Sequence, residues 1–283
     1  MKKLLFIIAL LNCIASGAQN IYNFPPVTSQ YGINDKVGKF AEIRGFKMYY
    51  ETYGVGEPLL IIHGNGGSIN NFVNQIPFFS KHYKVILADS RSQGRSRDDN
   101  DSLSYEMMAD DLDALLNELH IDSCNVIGWS DGGINGLLLA IRHPDKVKKL
   151  AVTGANLWPD TTAVDPLIYD FVVQHIDSFS RLPSTWENRN ALKLLNLLHC
   201  QPHITTAQLN KIQCPVLVIG GDHDCILPKH TLVIAESIPF SYLWILPDSG
   251  HSTPLFYKDE FNAKVLEFLR KPYRKISGTA RFM

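Results

Sequence analysis

The sequence predicts an α/β fold: a mostly parallel, twisted sheet of about eight strands flanked by helices, with a helical lid inserted after the sixth strand. Three observations carry this expectation. Short apolar runs bounded by turn residues recur along the chain, and runs apolar at nearly every position suit strands buried on both faces. Segments with a 3.6-residue apolar stripe lie between them. One stretch, residues 156–209, breaks this alternation with helical patches and no strand, and is too long for an ordinary loop.

Taken in order, Met1-Lys2-Lys3 is a basic start, Leu4 to Leu11 is apolar, and Ser16-Gly17-Ala18 places small residues before Gln19. This pattern predicts a secretory signal over residues 1–18, hence export to the periplasm or the exterior. The run is too short to span a bilayer, which needs about 20 residues, so no stable membrane insertion is expected after its removal. Asn12 before Cys13 is a poor lipidation site. Residues 19–37 read as an irregular lead-in. A hairpin follows, from Phe40–Ile43 to Phe46–Tyr53 around Arg44-Gly45. Six buried strands are expected at Pro58–His63, Lys84–Asp89, Cys124–Trp129, Lys149–Thr153, Pro215–Gly220 and Tyr242–Leu246. Helices are expected over Tyr105–Leu119, with Ser104 as N-cap, over Ile134–Ile141 and over Phe256–Leu269. Within the insertion, Ala191–Leu198 is the strongest helical patch. The reading is therefore one domain over 19–283, with its core at 40–155 and 210–270, a lid at 156–209 and a basic tail at 271–283.

Composition narrows the function classes. The 283 residues are 45% hydrophobic, which excludes a disordered chain. The 27 basic and 28 acidic residues give a formal charge of −1, with no electrostatic footprint for nucleic acid. Cys124, Cys200, Cys214 and Cys225 follow the signal. Cys214 and Cys225 flank a strand of about seven residues, too long at roughly 3.3 Å per residue for them to bond. Free thiols are expected, with a Cys200–Cys225 bridge the remaining alternative.

The chemistry sits at strand ends. Gly128-Trp129-Ser130-Asp131-Gly132 is G-x-S-x-G between a strand and a helix, the setting of a nucleophile elbow. A serine hydroxyl needs a base, and His251, on the loop after the last strand, is positioned to reach back over the strand ends. The histidine needs a carboxylate. The loop after Pro215–Gly220 offers Asp222 and Asp224; Asp224 lies further from the strand end, and Asp222 would then bond loop backbone. His63-Gly64-Asn65-Gly66-Gly67 follows a buried strand, so the amides of Asn65 and Asp131 are the expected oxyanion donors. His63 is expected to support that loop's packing. A metal at Asp222, His223 and Asp224 is disfavoured for want of a second histidine at ligand spacing. No metal and no organic cofactor is implied. Trp158, Tyr169, Phe171, Trp186 and the leucines near 195 are expected to shape an apolar substrate pocket, with Trp158 as a substrate contact.

These motifs fall in one order: His63-Gly64-Asn65-Gly66, then Asp89-Ser90-Arg91-Ser92-Gln93-Gly94-Arg95-Ser96, then Gly128 to Gly133, then Gly221 to Asp224 with Gly250-His251. In that order, from about Phe40 to Leu269, the chain resembles the α/β-hydrolase superfamily. Ser92 stands where the second motif usually has glycine. Gly-Trp-Ser-Asp-Gly-Gly and Thr153-Gly154-Ala155-Asn156 look like the valacyclovir hydrolase (biphenyl hydrolase-like) group. That resemblance implies a serine hydrolase of small carboxylic esters, among them α-amino-acid esters, with Ser130, Asp224 and His251 as catalytic residues. It implies that the Asp131 carboxylate binds the substrate ammonium; capping of the following helix is the alternative role. The oxyanion loop departs from that group. A carbon–carbon bond hydrolase of dienoates, a lactonase or a cofactor-free perhydrolase shares the fold, and a non-catalytic binding protein on a hydrolase scaffold is the reading from a different class. The expected partner is a small-molecule ester.

Overall fold

The computed structural model describes residues 30–282. The signal expected over 1–18 lies outside the described residues, as does most of the lead-in. Eight strands form one sheet: β1 (Lys39–Ile43), β2 (Phe46–Tyr53), β3 (Pro58–Ile62), β4 (Lys84–Ala88), β5 (Cys124–Trp129), β6 (Val147–Thr153), β7 (Val216–Gly221) and β8 (Ser241–Leu246). Their spatial order is β1-β2-β4-β3-β5-β6-β7-β8. β2 runs antiparallel to both its neighbours and every other pairing is parallel. Each strand expected from the apolar runs is present, with bounds moved by a residue or two.

Helices cover both faces: α1 (Ile76–Phe79), α2 (Tyr105–Glu118), α3 (Asp131–Arg142), α4 (Pro166–Ser180), α5 (Trp186–Cys200), α6 (Thr206–Leu209), α7 (Pro228–Ser237), α8 (Thr253–Phe256) and α9 (Lys258–Arg270). The alternation of side chains along each strand divides the core in two. Leu60, Ile62, Val126, Val152, Val216 and Val218 pack under α2, α3 and α7. Leu59, Ile61, Ile127, Ala151, Leu217 and Ile219 pack under α1 and α9 on the other face. Every one of these strand residues is buried, and burial of each stabilises by roughly 1.5–3 kcal/mol for the larger aliphatics. This is why the runs read as apolar at every position.

Ser104 caps α2 by accepting from the Met107 amide at 3.1 Å, as expected. The helix expected over Phe256–Leu269 is α9, its start moved to Lys258; Tyr257, at φ −111° and ψ 36°, separates it from the short α8. The insertion contributes α4, α5 and α6. α5 buries Ala191, Leu194, Leu195 and Leu197, whereas no residue of α4 is buried. Among the described residues no helix is long and apolar enough to cross a membrane.

The loop after β4 is fixed by charge. Arg91 forms two 2.7 Å bonds to the Asp111 carboxylate of α2 and one of 3.2 Å to Asp98, and all three residues are buried. Ser92 takes φ +64° where the family pattern has glycine, so the turn is kept with a strained serine. Asp89 closes the loop by accepting from the Ile69 and Arg95 amides. Arg91→Ala leaves buried Asp98 without its cation and buried Asp111 with only the half-exposed Arg44. It is expected to destabilise the fold by about 3–5 kcal/mol, measured as a lowered midpoint in urea unfolding.

Candidate active site

The site is assembled at the carboxyl ends of four parallel strands, where ligands of open α/β sheets bind. Ser130 follows β5 in an unusual conformation, φ 58° and ψ −122°. A residue held there stores about 1–3 kcal/mol of strain, which the surroundings must impose. Three glycines make this possible. A Cβ on Gly128 would lie 2.2 Å from the Gly132 carbonyl oxygen, one on Gly132 would lie 2.0 Å from that of Ile62, and one on Gly64 would meet the Ser130 Cβ at 2.9 Å. The Ser130 amide donates to the Thr153 carbonyl of β6 at 2.8 Å, pinning the elbow to the sheet.

The Ser130 hydroxyl lies 2.9 Å from His251 Nε2, and His251 Nδ1 lies 2.7 Å from Asp224 Oδ1. That carboxylate oxygen also accepts from the Ile226 amide at 2.9 Å. Burial works against an imidazolium at His251, while the Asp224 carboxylate beside it favours one. Asp222 takes the role expected of the other aspartate: it accepts from the Ser249 amide at 3.0 Å and pairs with the exposed His223. His63 is wholly buried. Its Nε2 accepts from the Ser90 amide and its Nδ1 meets the Gly64 carbonyl, while burial lowers its pKa to about 4, so it is a neutral loop support.

Asn65 and Asp131, whose amides are the expected oxyanion donors, meet through their side chains. Asn65 Nδ2 donates to Asp131 Oδ2 at 2.9 Å and to the Leu194 carbonyl of α5 at 3.3 Å. Asp131 is the first residue of α3, and its carboxylate is turned to Asn65 and the cavity and not to the amides of its own helix. Burial pushes its carboxyl up to about 6, against the opposing pull of Asn65, Tyr105 and His251. The buried Tyr105 hydroxyl faces it.

Ser130, His251, Asn65 and Asp131 open onto a cavity of about 170 Å³ whose apolar wall includes Val164, Ile168, Val172, Leu198, Ile226 and Leu255. Trp158 is a correction. It was expected at the substrate, but its ring packs edge-on against His230, with centroids 4.6 Å apart, and its Nε1 donates to Thr162. Asn156 and Pro159 reach the cavity in its place. The backbone turns between them, and an aromatic count carries no sign of that. Of the other expected aromatics, Tyr169 lines the cavity, Phe171 packs on His175 and Trp186 on Arg97.

Besides Tyr105, three residues at the site escaped the motif reading. Trp129 Nε1 donates to the His251 carbonyl at 2.9 Å and so holds the histidine loop from the neighbouring elbow. Cys225 lines the cavity beside His251; it and the other cysteines of the described residues are free thiols. Gly154, φ +65°, backs the imidazole, and a methyl there would meet His251 Cε1 at 2.7 Å. Its only sequence signal was a place in Thr153-Gly154-Ala155-Asn156. Gly154→Ala is expected to displace the ring, erasing the low-field N–H proton resonance of the His251–Asp224 hydrogen bond. Ser130 labelling by a fluorophosphonate should slow by about a hundredfold.

Comparison with known proteins agrees with this architecture. The alpha/beta hydrolase fold family matches residues 57–176. Human Serine hydrolase BPHL is 28% identical over 252 residues, covering 81% of this chain and 84% of that protein. RutD of Caulobacter sp. (strain K31), a protein named for carbamate hydrolysis, is 28% identical over 257 residues, covering 78% of this chain and 95% of its own. The enol-lactonase of Burkholderia xenovorans LB400 superposes with a TM-score of 0.68 over 82% of this chain and all of its own; at 22% identity it speaks to fold alone. The sheet order and the helical layers are those of the alpha/beta hydrolase fold, and the chain is similar to the proteins named BPHL and RutD.

Proposed function

We propose that the protein is a serine hydrolase cleaving small carboxylic esters through an acyl-enzyme. The observation that carries this reading is the unbroken hydrogen-bonded line from Ser130 through His251 to Asp224, with the serine at the floor of an apolar cavity. Asp224 holds Nδ1 protonated, which leaves the Nε2 lone pair to take the Ser130 proton as Oγ attacks the ester carbonyl. The amides of Asn65 and Asp131 receive the developing oxyanion; neither donates to a protein acceptor in the hydrogen bonds of the described residues. The α3 N-terminus adds its positive dipole end. The carbonyl re-forms, the alcohol leaves with the proton from Nε2, and water repeats the sequence on the acyl-enzyme.

The Asp131 carboxylate favours a substrate with a free α-amino group over the capping role, since it faces the cavity and bonds no amide of α3. The name of BPHL, a serine hydrolase, supports the reaction type. A lactone is a cyclic ester and fits the same steps; a panel of acyl and aminoacyl esters, lactones and a dienoate separates these substrates. The reading includes export after loss of residues 1–18 and a lid role for α4 and α5.

Two outcomes are expected. Ser130→Ala should abolish both p-nitrophenyl acetate hydrolysis and fluorophosphonate labelling; retained turnover would place the nucleophile elsewhere, and absence of labelling in the folded parent would leave a binding scaffold. Asp131→Asn should lower kcat/KM for a free aminoacyl ester by about 10- to 100-fold more than for its N-acetyl counterpart. Because the Asp131 carboxyl titrates near 6, it is charged above that pH and neutral below. KM for the free aminoacyl ester should therefore rise as pH falls through 6, with no matching rise for the acetylated ester.

A further inference from the structure

The mechanism leaves one group beside the triad unused. Cys225 follows Asp224 in the chain and lines the cavity next to His251. A carboxylate oxygen of Asp224, the Cys225 sulfur and a ring nitrogen of His251 all lie within 4.8 Å of one another. Asp224 is only 5% exposed, and its Oδ2 is buried without a hydrogen-bond partner while Oδ1 takes two. A buried carboxylate oxygen left unpaired is rare and calls for a ligand or a cost.

We propose that Asp224, Cys225 and His251 form a binding site for a thiophilic divalent cation, Zn²⁺ or Cd²⁺, which holds the protein inactive while bound. The ligand set is one oxygen, one sulfur and one imidazole nitrogen, the mixture that borderline and soft cations take. Metal–ligand bonds of about 2.0–2.3 Å bring such atoms to within roughly 4 Å of each other. Cys225 closes the remaining gap by rotating its side chain. The thiol gives its proton to solvent on binding, and a water in the cavity completes a tetrahedral shell. Whichever ring nitrogen is taken, His251 loses its hydrogen bond to Asp224 or to Ser130. It then can neither hold its tautomer nor accept the serine proton. The inhibitory part of this proposal rests on the hydrolase reading; the binding part does not.

The test separates the two. Cd²⁺ is titrated into full-length Ser130→Ala protein carrying Cys200→Ser, which removes the exposed thiol of α5. A thiolate-to-cadmium absorption band saturating at one cation per chain is expected, lost when Cys225→Ala or Cys225→Ser is added, with circular dichroism reporting the fold of each. A band unchanged by loss of Cys225, or no band at stoichiometric Cd²⁺, overturns the site. In the parent protein, one equivalent of Zn²⁺ should suppress p-nitrophenyl acetate hydrolysis at least tenfold, with full recovery on adding a chelator. Stoichiometric binding with unaltered hydrolysis overturns the inhibition. A cadmium band in a protein without hydrolysis in metal-free buffer would instead defeat the hydrolase reading and leave the site standing.

Discussion

The structure depends on how closely three stretches of backbone approach at the end of β5. Gly128 sits against Gly132, Gly132 against the last carbonyl of β3, and Gly64 against the serine itself. No side chain fits in any of these gaps. The contact forces Ser130 into a conformation it would not choose, and the bond from its amide to Thr153 keeps it there. The strain is held by the rigidity of a sheet buried on both faces, so the large apolar core and the single awkward residue are parts of one arrangement.

Around that point the polar groups are placed by geometry more than by charge. Asp224 reaches His251 because β7 and β8 are parallel neighbours, paired from Val216 to Gly221, and their following loops emerge side by side. Trp129 then ties the His251 backbone to the elbow, so the histidine and the serine are held through two separate bonds. Asn65 plays a similar part between the loop after β3, the start of α3 and the α5 backbone. The helical insertion is thus attached to the machinery at the Leu194 carbonyl, while α4, which buries no residue, forms the looser wall.

Much of this was legible in the sequence, for definite reasons. Strands buried on both faces leave a run such as Leu59 to Ile62 with no polar position, and a serine between glycines after such a run has few other uses. That Asp224 and not Asp222 meets His251 was legible from distance to the strand end. Trp158 was misread because the insertion has no sheet to set its register, and an aromatic there is equally suited to a cavity or to the back of His230. Tyr105, Gly154 and Cys225 were missed because each meets the site only through tertiary packing. Tyr105 sits in a helix whose stripe was explained by core contacts, and Gly154 matters only through the ring that fills its empty side.

The bond between Asn65 and Asp131 has a historical consequence. The two residues lie 66 positions apart, on different strands' loops, yet one amide nitrogen serves the carboxylate of the other. A lineage that replaced Asp131 to accept a different substrate would leave Asn65 with only its longer bond to the Leu194 carbonyl, and one that replaced Asn65 first would strand a buried carboxylate. Neither position can drift alone. Descent within this fold should therefore proceed at these two sites by paired exchange, with single replacements surviving only as brief intermediates.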